Sequence, residues 1–322
     1  MAVFLAWNWS LAYAITPVLS PTSQTKKSSV NTPSKHAPMF KQLIPKFLYT
    51  YLDFDFDSTT KSNFNRFQGH SNLYSAGADH IVLARNLFAG LYLFDIETSV
   101  NSQVILGPAG LVVSHTNIKN NTIFGHILKA FNRQFYIDAA GAYGQNNIFS
   151  VTELTPTPIL GVSSSTNHNW FYSIHGIYRK NWKKLLIKAS TGFLSNEVKS
   201  DTSYVIFQTE KAPQMVKPLT NKAAYVMENL ELGYSLSHII TPFINGGLVQ
   251  VVNYSNSRPI VNTVAIIGAL PQLEMNQDAY RLGAGVSLRF KKFTLRLEQK
   301  YYNAGRTFTS NDSLINLSFP FS

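Results

Sequence analysis

From residue 47 to the end of the chain, apolar and polar residues alternate with period 2, segment after segment. In Asp312 to Ser322, Ile315, Leu317, Phe319 and Phe321 share one face, and Asn316, Ser318, Pro320 and Ser322 the other. Tyr280 to Phe290 sets Tyr280, Leu282, Ala284, Val286 and Leu288 against Arg281, Gly283, Gly285, Ser287 and Arg289. In Phe293 to Tyr302, Phe293, Leu295 and Leu297 oppose Thr294, Arg296, Glu298 and Lys300. Glu231 lies opposite Leu230 and Leu232, Lys188 opposite Leu185 and Ile187, and Asp138 opposite Ile137 and Ala139. Near Tyr49 to Asp57, Leu52, Phe54 and Phe56 oppose Asp53, Asp55 and Asp57. Such alternation marks strands, whose successive side chains point to opposite sheet faces. A sandwich alternates too. Charges placed mid-strand on the second face instead suit a polar barrel interior, with the apolar face turned to lipid.

The connections sharpen this. Twelve strands are expected, near 47–57, 72–84, 87–98, 121–131, 134–145, 169–179, 184–195, 224–236, 240–252, 279–290, 293–302 and 312–321. Tight turns join them at 85–86, 132–133, 180–183, 237–239 and 291–292. Longer connections run over 58–71, 99–120, 146–168, 196–223, 253–278 and 303–311, strictly alternating with the tight ones. An outer-membrane barrel has this form, with short periplasmic turns and long extracellular loops. Strands of about 10–12 residues span its tilted wall. Closure is required, because an open strand edge cannot be satisfied in hydrocarbon. The expected fold is a 12-stranded antiparallel transmembrane β-barrel, all-β, in the outer membrane.

Composition agrees. Only 14% of the 322 residues are charged, against about 25% in soluble chains. No cysteine is present, which removes disulfide frameworks, zinc–thiolate sites and cysteine nucleophiles. Helical spans are not found: the longest apolar stretch, His80 to Ile96, is broken by Arg85, Asn86 and Asp95. Residues 1–14 end in Ala12-Tyr13-Ala14 and are expected to be an export signal, although no basic residue precedes Lys26. A buried segment is the alternative. Residues 15–46 read as a linker rich in Ser, Thr and Pro, and 47–322 as the barrel.

Several segments add a specific likeness. Ser75-Ala76-Gly77-Ala78-Asp79 precedes the tight turn Arg85-Asn86 and then Leu87-Phe88-Ala89-Gly90-Leu91. Further on come Tyr136 to Gly144, Leu232-Gly233-Tyr234-Ser235-Leu236, Ile240 to Val249, and Tyr280 to Val286. In order and spacing, residues 47–322 resemble the autotransporter β-domain, the translocator barrel of that family. The resemblance implies a lumen helix, which would map onto His36 to Lys46. It also implies a terminal aromatic signal, here Phe319 and Phe321, read by the outer-membrane assembly machinery. The chain ends one residue past that signal, at Ser322. It further implies an exported passenger, yet only residues 1–46 precede the first expected strand. The passenger is then encoded elsewhere or lost, or the barrel is itself the functional unit.

The candidate lumen-lining charges are Asp138, Lys188, Glu231, Arg281, Arg289, Arg296, Glu298 and Lys300. They serve either as a pore lining, mildly anion-preferring, or as an ion-pair brace for a narrow barrel. Ser173 and His175 share a face and form a candidate acylating pair on a lipid-facing wall, with no third group identified. His115, His126, His168 and His175 are dispersed without metal-ligand spacing, so neither a metal nor another cofactor is expected. Trp170, Tyr172, Tyr178 and Trp182 bracket one strand as an interfacial girdle would. Loops 196–223 and 253–278 carry apolar stretches, Tyr204 to Phe207 and Val264 to Ile267. These are candidates for contact with a host surface or lipopolysaccharide, or for strand extensions above the membrane. The +11 balance lies on single, scattered cations, which favours anionic lipopolysaccharide over nucleic acid as a partner. The leading function is an autotransporter-like translocator or surface-display barrel with little or no passenger. A small porin or surface adhesin is the alternative, and an outer-membrane lipid hydrolase the third.

Overall fold

The computed structural model describes residues 43–57, 64–105, 111–155, 159–209, 212–216, 218, 220–256 and 277–319. The expected signal at 1–14, most of the linker, Phe321 and the Val264 to Ile267 stretch lie outside them. Fourteen strands form one antiparallel sheet. They are β1 (Ile44–Asp57), β2 (Phe64–Ala84), β3 (Leu87–Ile105), β4 (Leu111–Ala130), β5 (Phe135–Thr155), β6 (Ile159–Trp182) and β7 (Leu185–Ser200). These are followed by β8 (Ser203–Phe207), β9 (Gln214–Val216), β10 (Thr220–Tyr234), β11 (Ile240–Asn256), β12 (Ala279–Arg289), β13 (Thr294–Ala304) and β14 (Phe308–Ser318). β1 pairs with both β2 and β14, and β5 with β6, so the sheet closes into a barrel of twelve strands.

β8 and β9 are the outer ends of two barrel strands. β10 pairs with β7 from Tyr234↔Leu185 up to Thr220↔Lys199, and β9 pairs with β8 at Val216↔Ser203 in the same register. β8 also continues β7 along β6, with a one-residue slip between Ser200↔Asn167 and Tyr204↔Ser164. The expected loop 196–223 is therefore mostly a strand extension.

Two other expected loops fold the same way. β3 and β4 pair without a break from Leu87↔Lys129 to Ile105↔Leu111. β4 and β5 pair from Ala130↔Tyr136 to Leu111↔Thr155. The described residues of the stretches 99–120 and 146–168 are strand, and 303–311 shrinks to a turn at 305–307. The difference between the two rims survives as one of height. At the low rim the turns are tight and locally held. Asn86 takes a left-handed φ of 61°, which asparagine tolerates better than most residues. Asn132 Oδ1 accepts from the amides of Gln134 and Phe135, and Ser237 Oγ from those of Ile239 and Ile240. Residues 44–46 belong to β1 rather than to a helix over 36–46.

Polarity exchanges faces partway up the wall. Near the low rim apolar residues point outward: Phe47, Leu91, Leu93, Ile123, Ile127, Ile137, Ile174, Leu230, Ile244, Leu282 and Ile315 are all exposed. Higher up, the outward positions become Asp53, Asp55, Asp95, Glu97, Lys119, Asn121 and Gln145. The inward positions then carry many apolar residues, interspersed with buried polar ones such as Ser71, Thr98, Asn120 and Asn146. Leu93 is 63% exposed, whereas Phe94 beside it is 2% exposed. The reading of β1 is corrected here: Leu52, Phe54 and Phe56 point inward and are buried, while Asp53 and Asp57 face outward into solvent. Above the lipid belt water lies outside the barrel, so burial of these apolar groups requires the inner face.

The inward side chains form one contiguous core to which every strand of the barrel contributes. Its members include Leu52, Phe54, Phe67, Leu73, Phe94, Phe124, Phe171, Leu194, Tyr225, Met227, Val249, Tyr302, Phe308 and Leu314. Ala140, Ala142 and Ile148 pack against it from β5. Room for the rings comes partly from inward glycines: a Cβ on Gly69 would collide with the ring of Phe54. The upper barrel is thus filled with side chains.

Placing an arginine tests the boundary between belt and column. Leu91→Arg should lower unfolding stability in lipid vesicles by about 2–4 kcal/mol, whereas Gln103→Arg should stay within about 0.5 kcal/mol of the parent. Equal costs at the two positions would contradict the exchange of faces between them.

Candidate functional site

Below the apolar core, the wall formed by β6, β7 and β10–β13 turns charged side chains inward. The register brings Lys188 opposite Glu231, and Arg296 opposite Ser287 and Asn316. Arg296 ties two carboxylates together. Its Nη2 and Nη1 donate to Glu231 Oε2 and Oε1 at 2.7 and 3.2 Å, and its Nε donates to Glu298 Oε2 at 3.0 Å. Asn245 Nδ2 donates to Glu298 Oε1 at 2.6 Å, and Lys300 Nζ lies 3.6 Å from the same oxygen. The Arg296 guanidinium carbon sits 3.8 Å above the Phe243 ring centroid. Arg281 Nη2 donates to Asn229 Oδ1 at 3.1 Å. Fork-to-carboxylate geometry, ring stacking and near-complete burial make this a stiff network.

Lys188, Glu231, Arg281, Arg289, Arg296, Glu298 and Lys300 all line a single cavity of about 590 Å³. It reaches the short-turn rim, where Lys183, Lys184, Ser237 and His238 form its edge, and Arg289 is exposed there. Sequence reasoning missed Arg179, another lining residue. Its parity with Ser173, His175 and Ile177 along β6 carried the signal, but the expected strand ended there.

Asp138 belongs to a different cluster, on the wall formed by β1–β5. His126 Nδ1 lies 2.9 Å from Asp138 Oδ1, and His126 Nε2 lies 3.3 Å from Asp79 Oδ1. Lys46 Nζ meets Asp79 Oδ2 at 2.5 Å. All four side chains are buried. A Cβ on Gly90 would strike the His126 ring, so the close approach of ring to backbone requires glycine there. A bulge in β2, where His80 takes a φ of 60°, directly follows Asp79. Nothing local in the sequence joins these residues, because strand register sets which of them meet.

Ser173 and His175 share a face, as their spacing requires, but that face is the interior. They are 4% and 6% exposed, which corrects their placement on a lipid-facing wall. Asp138 is the cross-strand neighbour of His175. His115 and His168 point outward above the belt, His168 stacking on Tyr143. Tyr172 and Trp182 are exposed on the outer face of β6. Phe319 lies 6.2 Å from both Phe47 and Phe293, a ring cluster joining β14, β1 and β13 at the low rim. Phe321 falls outside the described residues.

The pairing around Arg296 predicts a coupled response to mutation. Arg296→Met should destabilise the barrel by about 3–5 kcal/mol, because it leaves buried carboxylates uncompensated. Adding Glu231→Gln should restore part of that loss, as read by denaturant unfolding in vesicles. An additive double variant would contradict the pairing.

No family model matches the chain, and no curated protein matches it. Solved structures do. The translocator domain of the autotransporter NalP from Neisseria meningitidis superposes with a TM-score of 0.65 at 11% identity, covering 86% of this chain and 88% of that one. The transport unit of the autotransporter AIDA-I from Escherichia coli gives 0.56 at 8% identity, covering 98% and 97%. The β-domain of the Bordetella autotransporter BrkA gives 0.52 at 11% identity, covering 86% and 98%. The chain therefore has the fold of the autotransporter translocator β-domains and is an outer-membrane barrel of twelve antiparallel strands.

Proposed function

We propose that this chain is a surface-display barrel of the autotransporter type, in which the barrel carries its own extracellular part. The observation behind this reading is the exchange of faces. Above the lipid belt the twelve-stranded wall continues as a water-exposed column with a side-chain core. The core fills the upper lumen, which favours display over steady conduction and disfavours the small-porin alternative. Passage of a passenger would require the core to open.

The top of the column supports an adhesive use. Phe149, Leu160, Val162, Tyr204, Ile206 and Met215 are exposed on the outer face of β5, β6, β8 and β9. Gln145, Asn147, Thr166 and His168 separate this patch from the lipid belt along β5 and β6. An isolated outward apolar patch above the membrane suits a protein surface better than lipid. Val205 and Phe207 point inward beneath it and are buried, so the patch stands on a packed base. Several cations at this height already meet carboxylates: Lys119 with Glu97, Lys222 with Glu197 and Arg66 with Asp55. Such exposed pairs contribute little stability, but they reduce the local cationic field available to lipopolysaccharide.

The chain contains no cysteine, so single-cysteine labelling reads its topology directly. In intact cells a membrane-impermeant maleimide should modify Gln208→Cys, at the tip beyond β8, and leave Arg133→Cys in the short turn after β4 unmodified. Both should react once the outer membrane is permeabilised. Modification of Arg133→Cys in intact cells, with Gln208→Cys protected, would overturn the display reading.

A further inference from the structure

We infer that the cavity at the short-turn rim is a binding site for a small polyanion bearing several phosphate or carboxylate groups, taken up from the side opposite the displayed column. Of its lining side chains eight are Lys or Arg and two are Glu, an excess of six cations. Glu231 already serves Arg296, and Glu298 serves Arg296 and Lys300. The site is a cup. Its wall carries Phe243, and its mouth is edged by Lys183 and Lys184. A cavity with a net excess of one sign of charge concentrates counter-ions of the opposite sign. Arg289, exposed at the rim, presents a planar donor fork that matches the geometry of oxyanions. A volume of about 590 Å³ lies within the range of about 300–1,000 Å³ usual for small-molecule sites.

Charge also argues against the obvious internal occupant. Residues 1–42, which lead into β1 at this rim, contain Lys26, Lys27, Lys35 and Lys41 and no Asp or Glu. Insertion of such a segment would add cations to a cationic cup. The site is separate from the upper apolar patch, so its failure and the failure of the display reading are distinguishable.

The test is calorimetric titration of the full chain, folded in an uncharged detergent, with tripolyphosphate and separately with citrate. Saturable binding of one equivalent of either probe is expected, weakening steeply as salt is raised from about 0.05 to 0.3 M. The variant Lys183→Gln/Lys184→Gln/Arg289→Gln should bind at least about tenfold more weakly, because it removes three of the charges that face the ligand. The variant Lys119→Gln/Lys199→Gln/Lys222→Gln removes the same charge from the outer column and should bind within about twofold of the parent. Heat-modifiable gel migration establishes that each variant is folded. Absence of binding by the folded parent, or equal loss in the two triple variants, would overturn the site.

Discussion

In hydrocarbon no water is present to satisfy a strand's free edge, so the seam between β1 and β14 is the contact on which the remaining strands depend. It runs through eleven register pairs, from Lys46↔Ser318 to Phe56↔Phe308. Above the belt water could hydrate an open edge, yet the seam continues to Phe56, well past the last outward apolar residue of β1. The physical reason changes along its length. In the belt closure protects the backbone, and in the column it encloses an apolar core that would otherwise be exposed.

Two solvents therefore act on one sheet. Lipid requires apolar residues outside and permits charges inside, provided they are paired. Water imposes the opposite arrangement. Arg296, clamped between Glu231 and Glu298, and His126, set between Asp79 and Asp138, are the paired interiors of the lower zone. Phe94, Phe124, Phe171 and Leu194 are the packed interior of the upper zone. Lipid-facing side chains give little net cohesion to the lower zone, so its charged network braces the wall. The upper zone is held together much as a soluble barrel is. The cationic cup lies in the lower zone and reaches the short-turn rim.

Much of this was legible in the sequence. Parity alone placed Lys188, Glu231, Arg281, Arg296, Glu298 and Lys300 on the interior face, and the same parity put Leu230, Leu282 and Ile315 outside. Parity separates two faces without stating which solvent each one meets. Leu52, Phe54 and Phe56 were assigned outward on the assumption that lipid surrounds the whole strand, and water at that height reverses the assignment. The stretch from Asn117 to Asn120 fell within the expected connection 99–120. In the column those residues form a strand whose outward positions face water, with Ile118 buried on the inner face. Lys46 was hidden at the end of the expected helix over 36–46. Pro45 is tolerated because it stands at the start of β1, where a strand can spare one donor. The meeting of Asp79, His126 and Asp138 depends on register across β2 to β5, which no single segment encodes.

The central claim is that side chains close the barrel above the lipid belt. Current through single barrels in a planar lipid bilayer tests it most directly. The account predicts insertion with no steady ohmic conductance, at most brief openings. A stable open-channel current from the folded full-length chain would contradict it, because ions would then be crossing the level at which Phe94, Phe124, Phe171 and Leu194 meet.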